Sequence, residues 1–312
     1  MPLVAASPAL AQGQRVARVA ILATNLVDRR PYFEEMKDGL RERGWIEGKN
    51  IAYDVRSAEG NTDLFRKLAA EIVAIKPDVI FATTYLSVVA VTDETDTVPV
   101  VFAAIADPVK SGLVKSLARP GGQLTGVALQ AVPLAGKRIE ILRDALPQLS
   151  RIGVLYDSRQ QGEAGLAELR DAVAYFRLEL LVAGARNARE IELAFAELRA
   201  KRAEALLVTS SIRFFVERQR IIELAARHKL PAMYEMIDMA LEGGLIAYGP
   251  DYRAGYRRAA HHIDRILRGA RPGDLPIEEP LRYELVVNQR TARSIGVALS
   301  PLFLLRADRV IE

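Results

Sequence analysis

The chain has 312 residues, half of them hydrophobic and 26% charged, with 43 basic against 39 acidic residues and a net charge of +4. That length is too great for one core and fits two domains of about 100 to 150 residues. The absence of cysteine excludes disulfides, thiolate nucleophiles and cysteine-held zinc, no run of about 18 apolar residues offers a helical membrane span, and basic residues gather only in short pairs such as Arg29-Arg30 and Arg257-Arg258, so no nucleic-acid surface is expected.

At the start, Pro2-Leu-Val-Ala-Ala-Ser-Pro-Ala9-Leu10-Ala11-Gln12 ends in the Ala-x-Ala pattern that a signal peptidase admits. Residues 1–14 are therefore expected to be a signal-peptide remnant, cleaved near Ala11, with an Ala-rich tail as the alternative. A first buried strand is expected over 16–23, ending in Thr24 and Asn25. Tyr32, Phe33, Met36 and Leu40 then recur at helical spacing. Gly44 closes that helix, and Trp45 is read as a packing residue in the following turn. A second helix is marked by Leu64, Leu68, Ile72 and Ile75, and a strand over 78–82 ends in Thr83, Thr84 and Tyr85. The strand over 98–102 runs on to Asp107-Pro108, where a short amphipathic helix is expected, Asp107 serving as its N-cap or as a binding residue. Pro120-Gly121-Gly122 and Thr125-Gly126-Val127 follow.

Residues 120–136 hold few charges, and helical spacing resumes over 139–146. Three further strands are expected over 152–156, 205–208 and 231–234, ending in Tyr156, Asp157 and Arg159, in Ser210 with Arg213 just beyond, and in Tyr234 and Glu235. Helices between them are marked by Leu166, Leu169, Val173 and Phe176, by Ile191, Phe195 and Leu198, and by Ile221, Leu224 and Ala225. The alternation predicts an α/β protein of two doubly wound, Rossmann-like lobes. Seams at 120–136, 243–250 and 280–288 predict three hinge crossings and a ligand cleft facing the strand carboxyl ends. The expected first lobe comprises residues 15–126 with 249–284, and the second 127–248 with 285–312.

No Gly-x-Ser-x-Gly elbow, phosphate loop or Gly-x-Gly-x-x-Gly turn occurs. The histidines are His228, His261 and His262; the adjacent pair is read as a solvated helix face, and no metal or cofactor is expected. The polar strand ends are the candidate ligand-binding residues: Thr24, Asn25, Thr83, Thr84, Tyr85, Asp107, Tyr156, Asp157, Arg159, Ser210, Arg213, Tyr234 and Glu235. Hydroxyls beside free backbone N–H groups suit a carboxylate, a lone acid suits an ammonium, and a tyrosine ring suits a planar ligand. Each has a plainer alternative. Thr83, Thr84 and Ser210 fit helix capping alone, and Tyr156 and Tyr234 fit the core.

The blocks Gly39-Leu-Arg-Glu-Arg-Gly44-Trp-Ile-Glu-Gly-Lys-Asn50, Asp107 to Val127, Gly243-Gly-Leu-Ile-Ala-Tyr-Gly249 and Glu284-Leu-Val-Val-Asn288-Gln-Arg-Thr-Ala292, with the closing Leu305-Arg-Ala-Asp308-Arg-Val-Ile-Glu312, carry a resemblance. The chain resembles, from Arg15 to Glu312, the ABC-transporter substrate-binding proteins of the type I periplasmic-binding fold, which include tryptophan- and tyrosine-binding members. The resemblance implies a periplasmic protein, secreted by a signal peptide, that captures a small amino-acid-like or aromatic carboxylate ligand and delivers it to permease subunits. It implies no catalysis and a monomer. It points to the loop Ala82-Thr83-Thr84 and to Asp107. The family's Asn-Pro-rich second-lobe loop is Tyr156-Asp157-Ser158-Arg159 here, and the Asn of its Pro-Gly-Gly-Asn turn is Gln123. Arg159 and Arg213 favour a carboxylate if they face the ligand. Two other readings are the ligand-sensing domain of a regulator, which needs a DNA-binding helix pair of about 50 residues ahead of the first strand, and an α/β transferase-type enzyme, which needs a phosphate loop or an acid–base pair.

Overall fold

The computed structural model describes residues 15–25, 30–129, 134–158, 163–279 and 283–312. In chain order the elements are β1 (Ala17–Ala23), α1 (Arg30–Glu42), β2 (Ile51–Ser57), α2 (Phe65–Ala74), β3 (Val79–Ala82), α3 (Tyr85–Glu94), β4 (Val100–Ala106), β5 (Leu124–Leu129), α4 (Ala135–Ala145), β6 (Arg151–Asp157), α5 (Glu163–Tyr175), β7 (Glu179–Ala185), α6 (Ala188–Ala200) and β8 (Ala205–Val208). They continue with α7 (Ile212–Val216), α8 (Arg218–Arg227), β9 (Ala232–Tyr234), α9 (Ile237–Leu241), β10 (Ile246–Pro250), α10 (Tyr252–Leu267), β11 (Tyr283–Asn288), α11 (Gln289–Ile295), α12 (Pro301–Leu304) and β12 (Arg309–Ile311).

The chain divides into two compact units. The first holds β1 with Pro31–Val127 and Tyr256–Glu278; the second holds Ala128–Gly255 and Glu279–Glu312. The first unit's sheet has the order β2-β1-β3-β4-β5. Its strand β3 is a wholly apolar, buried run, and β1 is apolar and buried but for exposed Arg18, because helices cover both faces. Tyr32 and Phe33 of α1, Phe81 of β3 and Tyr256 of α10 form one aromatic cluster, with ring centroids 5.4 to 6.4 Å apart. Helices α1 and α10 pack closely at Gly39, where a Cβ would lie 2.8 Å from that of Ala260. Arg257 ties the same helices through Glu35 at 2.7 Å and through Glu42.

Val127 and Glu278, which end the two segments of this unit, form a parallel bridge, with the Glu278 N–H donating to the Gly126 carbonyl at 3.0 Å. The Arg258 guanidinium holds the Glu278 carboxylate. His262 corrects the expected solvated helix face. It is 2% exposed and packs inward, its Nε2 3.1 Å from the Pro276 carbonyl. Its neighbour His261 is half-buried, and desolvation holds its pKa below the usual histidine range.

The second unit's sheet has the order β12-β11-β10-β9-β8-β6-β7. The pairs β7–β6, β6–β8, β8–β9, β9–β10 and β11–β12 are parallel, and β10–β11 is antiparallel. Its core gathers Ile139 and Leu142 of α4, Val154 of β6, Leu166 and Leu169 of α5, Leu207 of β8, Met233 of β9 and Val287 of β11. The α/β class and the parallel sheets agree with the sequence. The short helix expected after Asp107-Pro108 is a correction. The chain makes one turn, Ser111 N–H to Asp107 carbonyl at 3.0 Å, and Gly112 ends it at φ +77°, a backbone angle glycine adopts without strain. Val109 stays 40% exposed, so no apolar stripe holds a helix there.

Candidate functional site

In the first unit the candidate residues collect at the carboxyl ends of three neighbouring strands, β1, β3 and β4. Thr24 follows β1 and is 2% exposed. Its carbonyl accepts from the Gly60 N–H at 2.8 Å, but its Oγ1 has no hydrogen-bond partner among the described residues. A buried hydroxyl without a partner is costly, so Thr24 is poised to bond whatever arrives. Asn25 beside it is half-buried.

Thr83 follows β3 and is buried, whereas Thr84 caps α3. The Thr84 Oγ1 accepts from the Ser87 N–H at 3.3 Å, and the Ser87 Oγ accepts from the Thr84 N–H at 2.9 Å, which closes a capping box. Thr84→Ala is therefore expected to lower stability by about 1 kcal/mol, and Thr84→Ser to restore it, read by thermal unfolding. Tyr85 and Leu86 begin α3 at 44% and 51% exposed. Asp107 follows β4 with φ +40°, and its Oδ1 accepts from the Lys110 N–H at 3.0 Å. The unit thus offers hydroxyls, one carboxylate and exposed apolar side chains at one end of its sheet.

In the second unit the carboxyl ends of β6, β8 and β9, again neighbours, bring Asp157, Ser210 and Glu235 together. Asp157 is buried. The Ser210 N–H donates to Glu235 Oε2 at 2.9 Å. The cap of α7 is Ser211, whose Oγ accepts from the Phe214 N–H at 2.9 Å, so the capping alternative for Ser210 does not apply. Glu235 Oε1 accepts from Arg138 Nη1 at 2.8 Å, and Arg138 Nε donates to the Tyr248 carbonyl at 3.0 Å. Glu235 is thus already ion-paired. Backbones press together here: a Cβ on Gly249 would lie 2.0 Å from the Glu235 carbonyl oxygen.

Other candidates have different duties. Tyr234 is 1% exposed, and its ring fills the space beside Gly244, where a Cβ would come within 2.4 Å of Cε2. Burial pushes its phenol pKa well up. Tyr156 is half-buried and lies across from Gly184, packed against the core. Both tyrosines therefore take the packing alternative. Arg213 is exposed on α7, and Arg159 falls outside the described residues.

Arg138 was not among the candidates, yet the chain signals it. Arg138, Leu142 and Ala145 share one helical stripe, and Arg138 is the polar member of a buried face. No group of three or more His, Asp or Glu is placed to hold a metal among the described residues. A cavity of about 390 Å³ lined by Arg143, Phe176, Leu302, Phe303 and Arg306 lies elsewhere in this unit, near the C-terminal ends of α4 and α5, away from the candidate strand ends.

Residues 29–311 match the family described as "ABC transporter substrate binding protein". The chain is 26% identical over 273 residues to the "Tyrosine-binding protein" of Clostridioides difficile (strain R20291), covering 86% of this chain and 78% of that one. Among solved structures, a conserved domain protein from Vibrio cholerae superposes with a TM-score of 0.82 at 26% identity, over 95% of this chain and 100% of that one. The ABC domain from Streptococcus pneumonia in complex with L-Trp superposes with a TM-score of 0.81 at 23% identity, over the same shares.

Proposed function

Because the chain belongs to the ABC transporter substrate binding protein family, we propose that it captures an amino-acid-like solute outside the cytoplasm and delivers it to the permease of an ABC importer. The observation that carries the ligand class is the pair of polar strand ends: Thr24, Thr83 and Asp107 in one unit, Asp157, Ser210 and Glu235 with Arg138 in the other. Hydroxyls and N–H groups suit a carboxylate, the carboxylates of Asp107 and Asp157 suit an ammonium, and exposed Tyr85, Leu86 and Val109 suit an apolar side chain. The tyrosine-binding relative and the structure holding L-Trp support the same class. Extracytoplasmic placement is supported by the family's role in ABC importers and by the Ala-x-Ala pattern at Ala9 to Ala11. The reading contains no covalent step.

The test is a thermal-shift and calorimetric screen of protein freed of carried-over solute by unfolding and refolding. The panel is the L-amino acids, aromatic acids, nucleosides and inositol. A true ligand at about 100 times its Kd stabilises by roughly 2.7 kcal/mol, a shift of several degrees. If no amino acid or aromatic acid shifts the transition, the ligand class is wrong.

A further inference from the structure

Arg138 is 7% exposed, an unusual place for a guanidinium. Its burial is made tolerable by Glu235, whose charge it neutralises at 2.8 Å. A guanidinium has five N–H donors in a rigid fork. Here Nε serves the Tyr248 carbonyl and one N–H of Nη1 serves Glu235, and no other group among the described residues accepts from this side chain. Three donors of a nine-tenths buried side chain are therefore uncommitted.

The fork is also fixed. Its acceptors come from the residue after β9 and the middle of the adjacent β10, and the second Glu235 oxygen is held by the Ser210 N–H just beyond β8. Tyr248, whose carbonyl it grips, and Tyr283 place their rings 6.1 Å apart at the same end of the sheet. A planar fork anchored on two sides with free donors on the third matches a carboxylate.

We propose that Arg138 reads the carboxylate of the solute, and that this protein's ligands are confined to molecules carrying one. The inference rests on the solute-binding reading above. Glu235 is then a positioning residue: it cancels the charge and aims the fork, but does not touch the ligand. Arg138→Lys keeps the charge opposite Glu235 and removes the fork. The double variant Arg138→Gln with Glu235→Gln removes the fork without stranding a buried charge.

The experiment is calorimetric titration of wild type and both variants with L-tyrosine, L-tryptophan, tyramine and tryptamine. Wild type should favour each acid over its decarboxylated amine by roughly 10- to 100-fold, the scale of a charge-assisted hydrogen bond. In both variants the ratio should fall toward one through loss of acid affinity, with the variants' circular dichroism unchanged. A ratio that survives in the variants overturns the assignment of Arg138. A wild type that binds amines as well as acids overturns the carboxylate requirement while leaving solute binding intact. A wild type that binds none of the four, nor any amino acid in the broader screen, overturns the solute reading itself, and this assignment with it.

Discussion

Gly249→Ala should lower the stability of the second unit by about 4 kcal/mol or prevent its folding, the range of severe overpacking. The new methyl would sit 2.0 Å from the Glu235 carbonyl oxygen. That oxygen is backbone, not the free end of a flexible side chain. β10 and β9 are held in register by the pairs Ile246 with Met233 and Ala247 with Tyr234, so relief requires opening the sheet beside Glu235. At roughly 2 to 4 °C per kcal/mol for a unit of this size, the thermal midpoint should drop by about 10 °C. Gly136→Ala is the matched contrast. Gly136 lies in α4 with nothing within 4 Å of the added carbon, so the same change should stabilise by about 0.5 to 1 kcal/mol. A Gly249→Ala protein that melts with wild type would show that the two backbones are not in contact.

Arg138→Met should cost about 3 to 5 kcal/mol, because it strands Glu235 in a site where only 16% of its side chain is exposed. The loss belongs to the uncompensated charge more than to the missing attraction. Removing both charges, as Arg138→Met with Glu235→Leu, should therefore recover most of it, leaving the Ser210 N–H and the Tyr248 carbonyl to find water. Thermal unfolding of the single and double variants distinguishes the cases. Equal losses in the two would mean that packing around Arg138, not charge, sets its importance.

The strands that are buried on both faces were legible, because burial there demands unbroken apolar runs. β3, β8 and β9 coincide with the expected segments to within a residue or so, and β4 starts two residues late and runs on to Ala106. The strands that escaped lie at sheet edges or in the antiparallel pair. β2 is a partial exception: the turn after Gly44 marks its start, but it reads Ile-Ala-Tyr-Asp-Val-Arg-Ser and is half-buried after its first residue, so no apolar run marks its extent. β7 likewise begins with exposed Glu179 at the far edge. The turn at Asp107 defeated the helix expected there because capping chemistry and turn chemistry use the same residues.

For the candidate site, local sequence located the strand ends but not which side chain is committed to what. Ser210 and Ser211 are indistinguishable on paper, yet only Ser211 caps the helix. Glu235 read as a free acid because its partner lies far back in the chain on another helix. Tyr234 and Tyr156 were ambiguous for a different reason. A tyrosine at the end of a buried strand suits both core and cleft, and the glycines opposite them, Gly244 and Gly184, decide for packing.

The aromatic cluster of the first unit has a consequence for synthesis. Tyr32, Phe33 and Phe81 leave the ribosome early, but Tyr256, which touches all three, arrives only after most of the second unit has been made. Until α10 emerges, the nascent first unit lacks its fourth ring and the helix that packs on Gly39, and its apolar surface stays open to chaperones. Any fragment ending before residue 256 is thus expected to be aggregation-prone.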